Sequence, residues 1–512
     1  MTAKVKTKLE PAKADVARPP IIVVMGHIDH GKSTLLDYIR QTKIVESEIG
    51  GITQSISAYE VNCRREDGRV AKITFIDTPG HEAFGDMRTR GASLADIAIL
   101  IISAEEGVKP QTVEALKAIQ TQKLPYVVAI NKIDRPNANA DLVKQQLAEK
   151  EALVEGYGGT IPWVAISAKT GAGIDELLEL LLLTADLVEL KSHPEIPATG
   201  LILEANLNPK SGNAAVLIIK DGHLRLGDYL VIENTACKIK ALRDFRGQAA
   251  KELGPSSPAI VIGLNILPPV GATFKVYPDR QRAEQAAANH QITKPAIKTG
   301  APNRVDNDSQ DIASIPLVIK ADVTGSLAAI AHELKKLETA TVKLKIIELE
   351  TGPITEADVQ LGTTAKNSLV LGFNVKATKA ALELAEREQV RIETFDIIYK
   401  LSEWLAEEIK RRTPLHQVEV TIGKAKILKL FSGTKNKQVL GGAVLDGKLV
   451  DGKSIKIMRR DSEIGSGRIG ELQQQKMRVK EVETGNQFGA LVEAKIAIAV
   501  GDTLVVYDIV NQ

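Results

Sequence analysis

Gly26-His27-Ile28-Asp29-His30-Gly31-Lys32-Ser33 is the stretch on which the fold turns. It has the form GxxxxGK[ST]. It follows the apolar residues 21–25 and opens a helical pattern at Lys32, the strand–loop–helix setting this motif requires. The glycines let successive backbone N–H groups curl around a phosphate, and the helix N-terminus adds positive potential there. Lys32 can reach the outer phosphates, and the Ser33 hydroxyl, at the start of a helix continued by Thr34, can hold Mg²⁺.

Working outward, short β-branched runs at 73–76, 97–102, 126–130 and 163–166 alternate with amphipathic segments at 112–122 and 174–187. That alternation predicts a mostly parallel sheet wrapped by helices. One hairpin interrupts it, with Asp67-Gly68 joining 56–63 to 70–77. Three more polar clusters fall at the ends of these strands. Asp77-Thr78-Pro79-Gly80 can reach Mg²⁺ through water with its carboxylate and the γ-phosphate with the Gly80 N–H. Asn131-Lys132-Ile133-Asp134 puts a carboxylate where it can accept both N1–H and the exocyclic amine of guanine, a pair adenine does not offer. Ser167-Ala168-Lys169 can close the base pocket through its backbone. Four such loops in this order are what a doubly wound nucleotide site needs. His81, directly after DTPG, can orient the attacking water, or is simply an exposed histidine. Thr53, in Gly50-Gly51-Ile52-Thr53, can bind Mg²⁺ and the γ-phosphate in a rearranging segment. The predicted ligands are therefore GTP or GDP and Mg²⁺.

Beyond residue 190 the pattern changes. Residues 191–282 predict a β-barrel, 283–312 a linker, 313–396 a second, smaller α/β/α unit, 397–412 one amphipathic connecting helix, and 413–512 a second barrel. Residues 1–18 read as a flexible basic leader, and 19–190 as the nucleotide domain. The spacing DGxLxxG recurs at 221–227 and 446–452, which favours two related barrels.

Composition narrows the class. The chain has 512 residues, too long for one core, and is 44% hydrophobic and 25% charged, which excludes a mostly disordered chain. No apolar run is long enough for a bilayer. Two cysteines, Cys63 and Cys237, cannot build a disulfide framework, so a reducing, cytoplasmic setting is expected. Net charge is −7 over 19–190 but +6 over 411–512, which marks the C-terminal part as the one to face a polyanion such as RNA.

The runs GHIDHGKSTLLDYIR, GGITQSISAYEV, FIDTPGHEAFGDMRTRGASLADIAIL, INKID, ISAKTGAGIDEL, DGHLRLGD, KADVTGSLAAI and LVLGFNV closely resemble bacterial translation initiation factor two in a short form, a translational GTPase. The resemblance covers nearly all of the chain after the leader. It implies a ribosome-activated GTPase that carries formylmethionyl initiator tRNA on its terminal barrel, protects it from hydrolysis, places it on the small (30S) ribosomal subunit and drives joining of the large one. It also implies that other initiation factors act beside it, that the chain is a monomer with no membrane role, and that His81 is the residue the ribosome orders. Two departures stand out. The leader is short, and where many relatives have Glu-Cys-Gly in the pocket for the formylated amino acid this chain has Gln487-Phe488-Gly489. Phe488 can line that pocket or belong to the barrel core. An elongation-type GTPase delivering a charged tRNA is the alternative; it predicts two adjacent barrels with no α/β unit between them.

Overall fold

The computed structural model describes residues 16–41, 53–65, 67–193, 195–208, 211–289, 313–339, 342–412, 417–433, 436–460 and 462–511. The expected leader through residue 15, the glycines of the GGIT segment and residues 290–312 of the expected linker lie outside them. Among the described residues, no helix is long and apolar enough to cross a membrane.

The first sheet orders its strands Ser57–Arg64, Val70–Asp77, Ile21–Gly26, Ile97–Ser103, Tyr126–Asn131 and Trp163–Ala165. The Ser57/Val70 hairpin is antiparallel and all other pairings are parallel. Nearly all residues of the central strands Ile21–Gly26, Ile97–Ser103 and Tyr126–Asn131 are buried on both faces. Ile21, Val23 and Met25 join one apolar layer, while Ile22 and Val24 join the other. This explains why the strands read as continuous apolar runs rather than alternating ones. Every parallel strand ends at the same edge, so the loops after residues 26, 77, 131 and 165 converge.

The next sheet is antiparallel, in the order Thr235–Lys238, Tyr229–Ile232, Thr273–Tyr277, Thr199–Asn208, Gly212–Asp221, Pro258–Leu264 and Ala241–Asp244. A four-stranded parallel sheet follows, in the order Val342–Thr351, Ala313–Ala321, Leu369–Phe373 and Arg391–Phe395, with helices Thr324–Leu337, Glu356–Thr363 and Lys379–Glu388. The connecting helix is Ile398–Arg412. One apolar cluster runs from the nucleotide sheet through Leu203 and Ile218 to Ile319, Leu371, Leu401 and Ile409. The segment to Arg412 is accordingly one compact unit, and 413–512 is another.

The second unit is a closed six-stranded barrel. Its strands neighbour one another in the order Gln417–Gly433, Thr503–Asn511, Ser454–Arg459, Ser462–Gln474, Gln487–Ala494 and Lys437–Val450, and the last pairs back with the first. The neighbour order matches that of the first antiparallel sheet. There, two short strands, Thr235–Lys238 and Ala241–Asp244, stand where one long strand closes the ring here. The DGxLxxG repeat has a backbone cause. Gly222 and Gly227 take φ of 76° and 96°, and Gly447 and Gly452 take 64° and 78°, the left-handed region that favours glycine.

Three boundaries differ from expectation. Val16–Ala17 is a strand paired with Lys191–Ser192, so the end of the expected leader belongs to the fold. The expected junction at 282/283 falls inside the helix Arg280–Asn289, whose Ala283 and Ala287 pack on Val231 of the barrel. The connecting helix begins at Ile398 rather than 397, where the Gln54 side chain accepts the Ile398 N–H.

Arg18 explains why the fold reaches so far forward. Its guanidinium grips the buried Asp96 carboxylate at 2.6 and 2.8 Å, and Lys220 of the barrel adds a third contact at 3.0 Å. Burial alone would raise the Asp96 pKa. The Arg18 hydrogen bond and the Lys220 charge outweigh it and hold the carboxyl below its usual range. A carboxyl lowered in the folded state adds stability above its unfolded value and loses it as pH falls through the folded one. We predict that urea stability of the whole chain declines as pH drops below about 4. Asp96→Asn should cost roughly 3–5 kcal/mol and flatten that acid decline. An unchanged urea midpoint in the variant would show that the pair does not tie the barrel to the nucleotide domain.

Candidate functional site

The strand Ile21–Gly26 delivers the chain into a loop that turns back on itself and starts the helix Lys32–Arg40. Gly31 makes the turn at φ 88°, and a Cβ there would lie 2.3 Å from the Asn131 side-chain nitrogen. Asp29 is also left-handed, at φ 61°, a pose that short polar side chains tolerate. At Gly26 a Cβ would meet the Ile101 carbonyl oxygen at 2.4 Å, so the loop lies flush on the neighbouring strand.

Lys32 is buried, and its ammonium donates to the carbonyls of Gly26 at 3.0 Å and His27 at 2.6 Å. Burial presses its pKa down to about 8, with the Asp77 charge pulling the other way. A Cβ on Gly80 would lie 2.4 Å from the Lys32 nitrogen and 3.2 Å from the Ile28 nitrogen, so the DTPG loop sits directly on the phosphate loop. Thr78 fixes that loop by donating to the Val24 carbonyl at 2.8 Å.

Ser33 Oγ and Thr53 Oγ1 are 2.9 Å apart. Two adjacent ligands of an octahedral Mg²⁺, each about 2.1 Å from the ion, are separated by about 3 Å. Two hard oxygen donors at this spacing beside the Lys32 loop fit the ion expected from the sequence. A cavity of about 270 Å³ is lined by Ile28, Asp29, Gly31, Lys32, Ser33, Thr34, Thr53, Gly80, His81 and Tyr399. It brings together three segments that the sequence reading singled out separately, and adds Tyr399 from the connecting helix.

His81 caps the short helix Glu82–Phe84, its Nδ1 accepting the Ala83 N–H at 3.0 Å. With Nδ1 engaged as an acceptor, the neutral ring carries its proton on Nε2. Burial lowers the His81 pKa, against the charges of Glu333 and Glu82, so the neutral form is favoured. Its ring meets Tyr399 edge to face at 4.7 Å between centroids. Arg88 is buried behind this loop. It donates to the carbonyls of Pro79 and His81 and pairs with Glu114 at 2.6 Å. This arginine is thus committed to shaping the loop.

On the base side, Asn131 is buried and spans two loops. Its Nδ2 donates to the His30 carbonyl at 2.8 Å, and its Oδ1 accepts the Ala168 N–H at 2.9 Å. Its place in the expected site is therefore that of a strut, and the Ala168 amide is held by Asn131. Lys132 stands over the edge of the site, left-handed at φ 66°, with its ammonium on Glu106 at 3.1 Å. Asp134 is exposed and accepts the Ser167 hydroxyl at 2.7 Å, which lowers its pKa and keeps it a carboxylate. Lys169 is exposed beside it. His30 is fully buried, and burial brings its pKa down to about 4. Within the phosphate loop it is therefore a neutral structural ring.

Three further residues, none of them among the expected site residues, shape the site. Gln111 accepts the Ile28 N–H at 3.1 Å and braces the phosphate loop. Gln54 reaches the backbone at the start of the connecting helix, donating to the Asp396 carbonyl at 2.7 Å and accepting the Ile398 N–H at 3.2 Å. Tyr399 faces the cavity from the same turn. Gln54 had one signal, its place directly after Thr53. Tyr399 had none, because only the packing of the connecting helix brings it here.

In the second barrel, Phe488 is a buried core residue. Its ring lies over Gly442 on the paired strand, where a Cβ would come within 2.9 Å of it. The same ring floors a groove of about 1080 Å³ whose walls include Gln487, Gly489, Phe431 and Lys476. Phe488 is thus a core residue that also borders a groove.

Comparison with known proteins follows the same division. The family described as the Elongation factor Tu GTP binding domain matches residues 18–186, Elongation factor G domain 2 matches 197–277, and Translation-initiation factor 2 matches 295–406. The chain is 40% identical to Translation initiation factor IF-2 of Anoxybacillus flavithermus over 96% of its own length and 68% of that protein's. For the factor of the same name from Bacillus pumilus the figures are 39%, 98% and 71%, and for that from Nitratiruptor they are 41%, 97% and 59%. The chain thus spans between 59% and 71% of the length of these relatives. Among solved structures, GDP-bound aIF5B from Aeropyrum pernix is 27% identical, covering 96% of this chain and 92% of that one at a TM-score of 0.45.

The Asn131 strut yields a prediction. Asn131→Ala removes two buried hydrogen bonds, each worth about 1 kcal/mol net. Affinity for a fluorescent GDP analogue should fall by roughly tenfold to a hundredfold, because the two loops lose their common anchor. Binding at wild-type strength would show that the loops hold their places without it.

Proposed function

This chain belongs to the translation initiation factor IF-2 family, and we propose that it is a GTPase that binds formylmethionyl initiator tRNA, shields its aminoacyl ester, loads it on the small ribosomal subunit and promotes subunit joining. The observation that carries the nucleotide half is the shared cavity, where Lys32, Ser33, Thr53, Gly80 and His81 line one space. The Translation-initiation factor 2 match at 295–406 lies between the two barrels, which argues against the elongation-type alternative.

In this reading the backbone from Gly26 to Gly31 wraps the inner phosphates, and Lys32 reaches the outer ones. Ser33 and Thr53 would hold Mg²⁺ directly and Asp77 would hold it through water. A bound Mg²⁺ neutralises phosphate charge and fixes phosphate geometry. Gly80 offers its N–H to the γ-phosphate. His81, held neutral by burial, positions water for in-line attack at phosphorus, giving GDP and phosphate. Asp134 reads guanine through its two N–H donors, and the Ser167-Ala168-Lys169 turn closes over the base. Arg88 is bound to Glu114 and two loop carbonyls, so it is committed to the loop rather than to charge at the γ-phosphate. Slow turnover alone and acceleration by the ribosome follow.

The terminal barrel supplies the tRNA half. Residues 411–512 carry a net charge of +6, which suits a phosphate backbone. The groove floored by Phe488 offers an apolar surface to a methionine side chain.

Ester protection tests the reading. With GTP present, the chain should slow spontaneous hydrolysis of formylmethionyl-tRNA and protect unformylated methionyl-tRNA less. Equal hydrolysis rates with and without protein, at normal GTP binding, would refute the tRNA assignment. Two variants test the chemistry. His81→Ala should keep GTP affinity while ribosome-stimulated turnover falls by at least about a hundredfold. Asp134→Asn replaces one acceptor with a donor. It should lose GTP and gain xanthosine triphosphate, whose ring presents a carbonyl where guanine presents an amine; retained GTP preference would contradict base reading by Asp134.

A further inference from the structure

Both segments expected to sense the γ-phosphate touch the same turn of the connecting helix. Gln54, next to Thr53, holds the Asp396 carbonyl and the Ile398 N–H at 2.7 and 3.2 Å. His81 lies edge to face with Tyr399, one residue further along, at 4.7 Å. Tyr399 lines the nucleotide cavity itself. The helix behind it is firmly seated, since Leu401, Leu405 and Ile409 are buried in the cluster shared with the nucleotide sheet. Tyr399 itself is half-buried and packs against the same cluster.

We propose that Tyr399 is a positioning residue for His81. Its ring holds the imidazole in a resting pose in which Nδ1 is spent on the Ala83 N–H, and His81 must leave that contact to orient water at the γ-phosphate. The proposal rests on the reading of His81 given above. Three restraints act on the imidazole: one hydrogen bond, the Tyr399 ring at 4.7 Å and, within its own loop, the Phe84 ring at 6.1 Å. Removing the Tyr399 ring leaves the hydrogen bond and the Phe84 contact, both local to the loop. An edge-to-face ring contact biases an equilibrium by a factor of roughly two to ten. Freed of it, His81 spends more time in the working pose, and hydrolysis without ribosomes rises.

The experiment is single-turnover GTP hydrolysis by the full chain without ribosomes. It compares wild type, Tyr399→Ala, His81→Ala and the double variant, with GTP affinity measured for each. Tyr399→Leu keeps the apolar volume and serves if the alanine variant unfolds. With protein in saturating excess, so that a change in GTP affinity does not enter the rate, the Tyr399 variants should hydrolyse GTP roughly two to ten times faster. The double variant should show none of that gain. An equal or slower rate in folded Tyr399 variants would overturn the proposal, as would a gain that survives without His81. Full ribosome-stimulated turnover in His81→Ala alone would instead overturn the reading of His81 beneath it.

Discussion

The site depends on a buried ammonium. Lys32 is enclosed by the loop it belongs to, with two backbone carbonyls as its hydrogen-bond acceptors and Asp77 as a nearby charge. Carbonyl dipoles solvate a cation less well than water does, so the group favours its neutral form more than a free lysine would. A polyphosphate entering beside it supplies the missing negative charge. The loop is therefore built around a charge that it cannot fully satisfy, and this gives the cavity a preference for a highly anionic ligand before any specific contact forms.

Neighbouring parts serve to keep that arrangement fixed. Gly31 allows the turn, Asn131 binds it to the base-side loop, and Gln111 braces the Ile28 amide. Gly80 closes over the ammonium so tightly that a side chain there would collide with it. Arg88 draws the carbonyls of Pro79 and His81 inward from behind. These contacts link strand ends far apart in sequence, and the parallel sheet makes them neighbours by ending its strands at one edge.

The nucleotide sheet was legible because its strands are continuous apolar runs punctuated by loops with recognisable chemistry. The repeat DGxLxxG was legible as well, since left-handed glycines leave a fixed spacing. Less visible were features created by packing between distant segments. Asn131 was expected at the nucleotide through its motif, but nothing in the motif announces that its side chain also bridges the His30 carbonyl and the Ala168 amide. Arg18 looked like leader because its neighbours are Lys-, Ala- and Pro-rich, and only the barrel's Lys220 and the buried Asp96 reveal its role. Tyr399 stands in a helix whose apolar stripe announces burial but not against what. The strand Val342–Thr351 and the helix Glu356–Thr363 escaped notice for a local reason. The strand alternates Lys and Glu with apolar residues, and the helix is short and weakly amphipathic.

The central claim is that this cavity selects guanine triphosphate chemistry. Calorimetric titration of the nucleotide-free chain, in Mg²⁺, with GTP, GDP and ATP tests it most directly. A site that pairs a carboxylate with two donors of the correct base rejects a base lacking them by a factor on the order of 10⁴. GTP and GDP should therefore bind, and ATP should give no measurable heat at concentrations that saturate with GTP. Comparable binding of ATP and GTP would contradict the account.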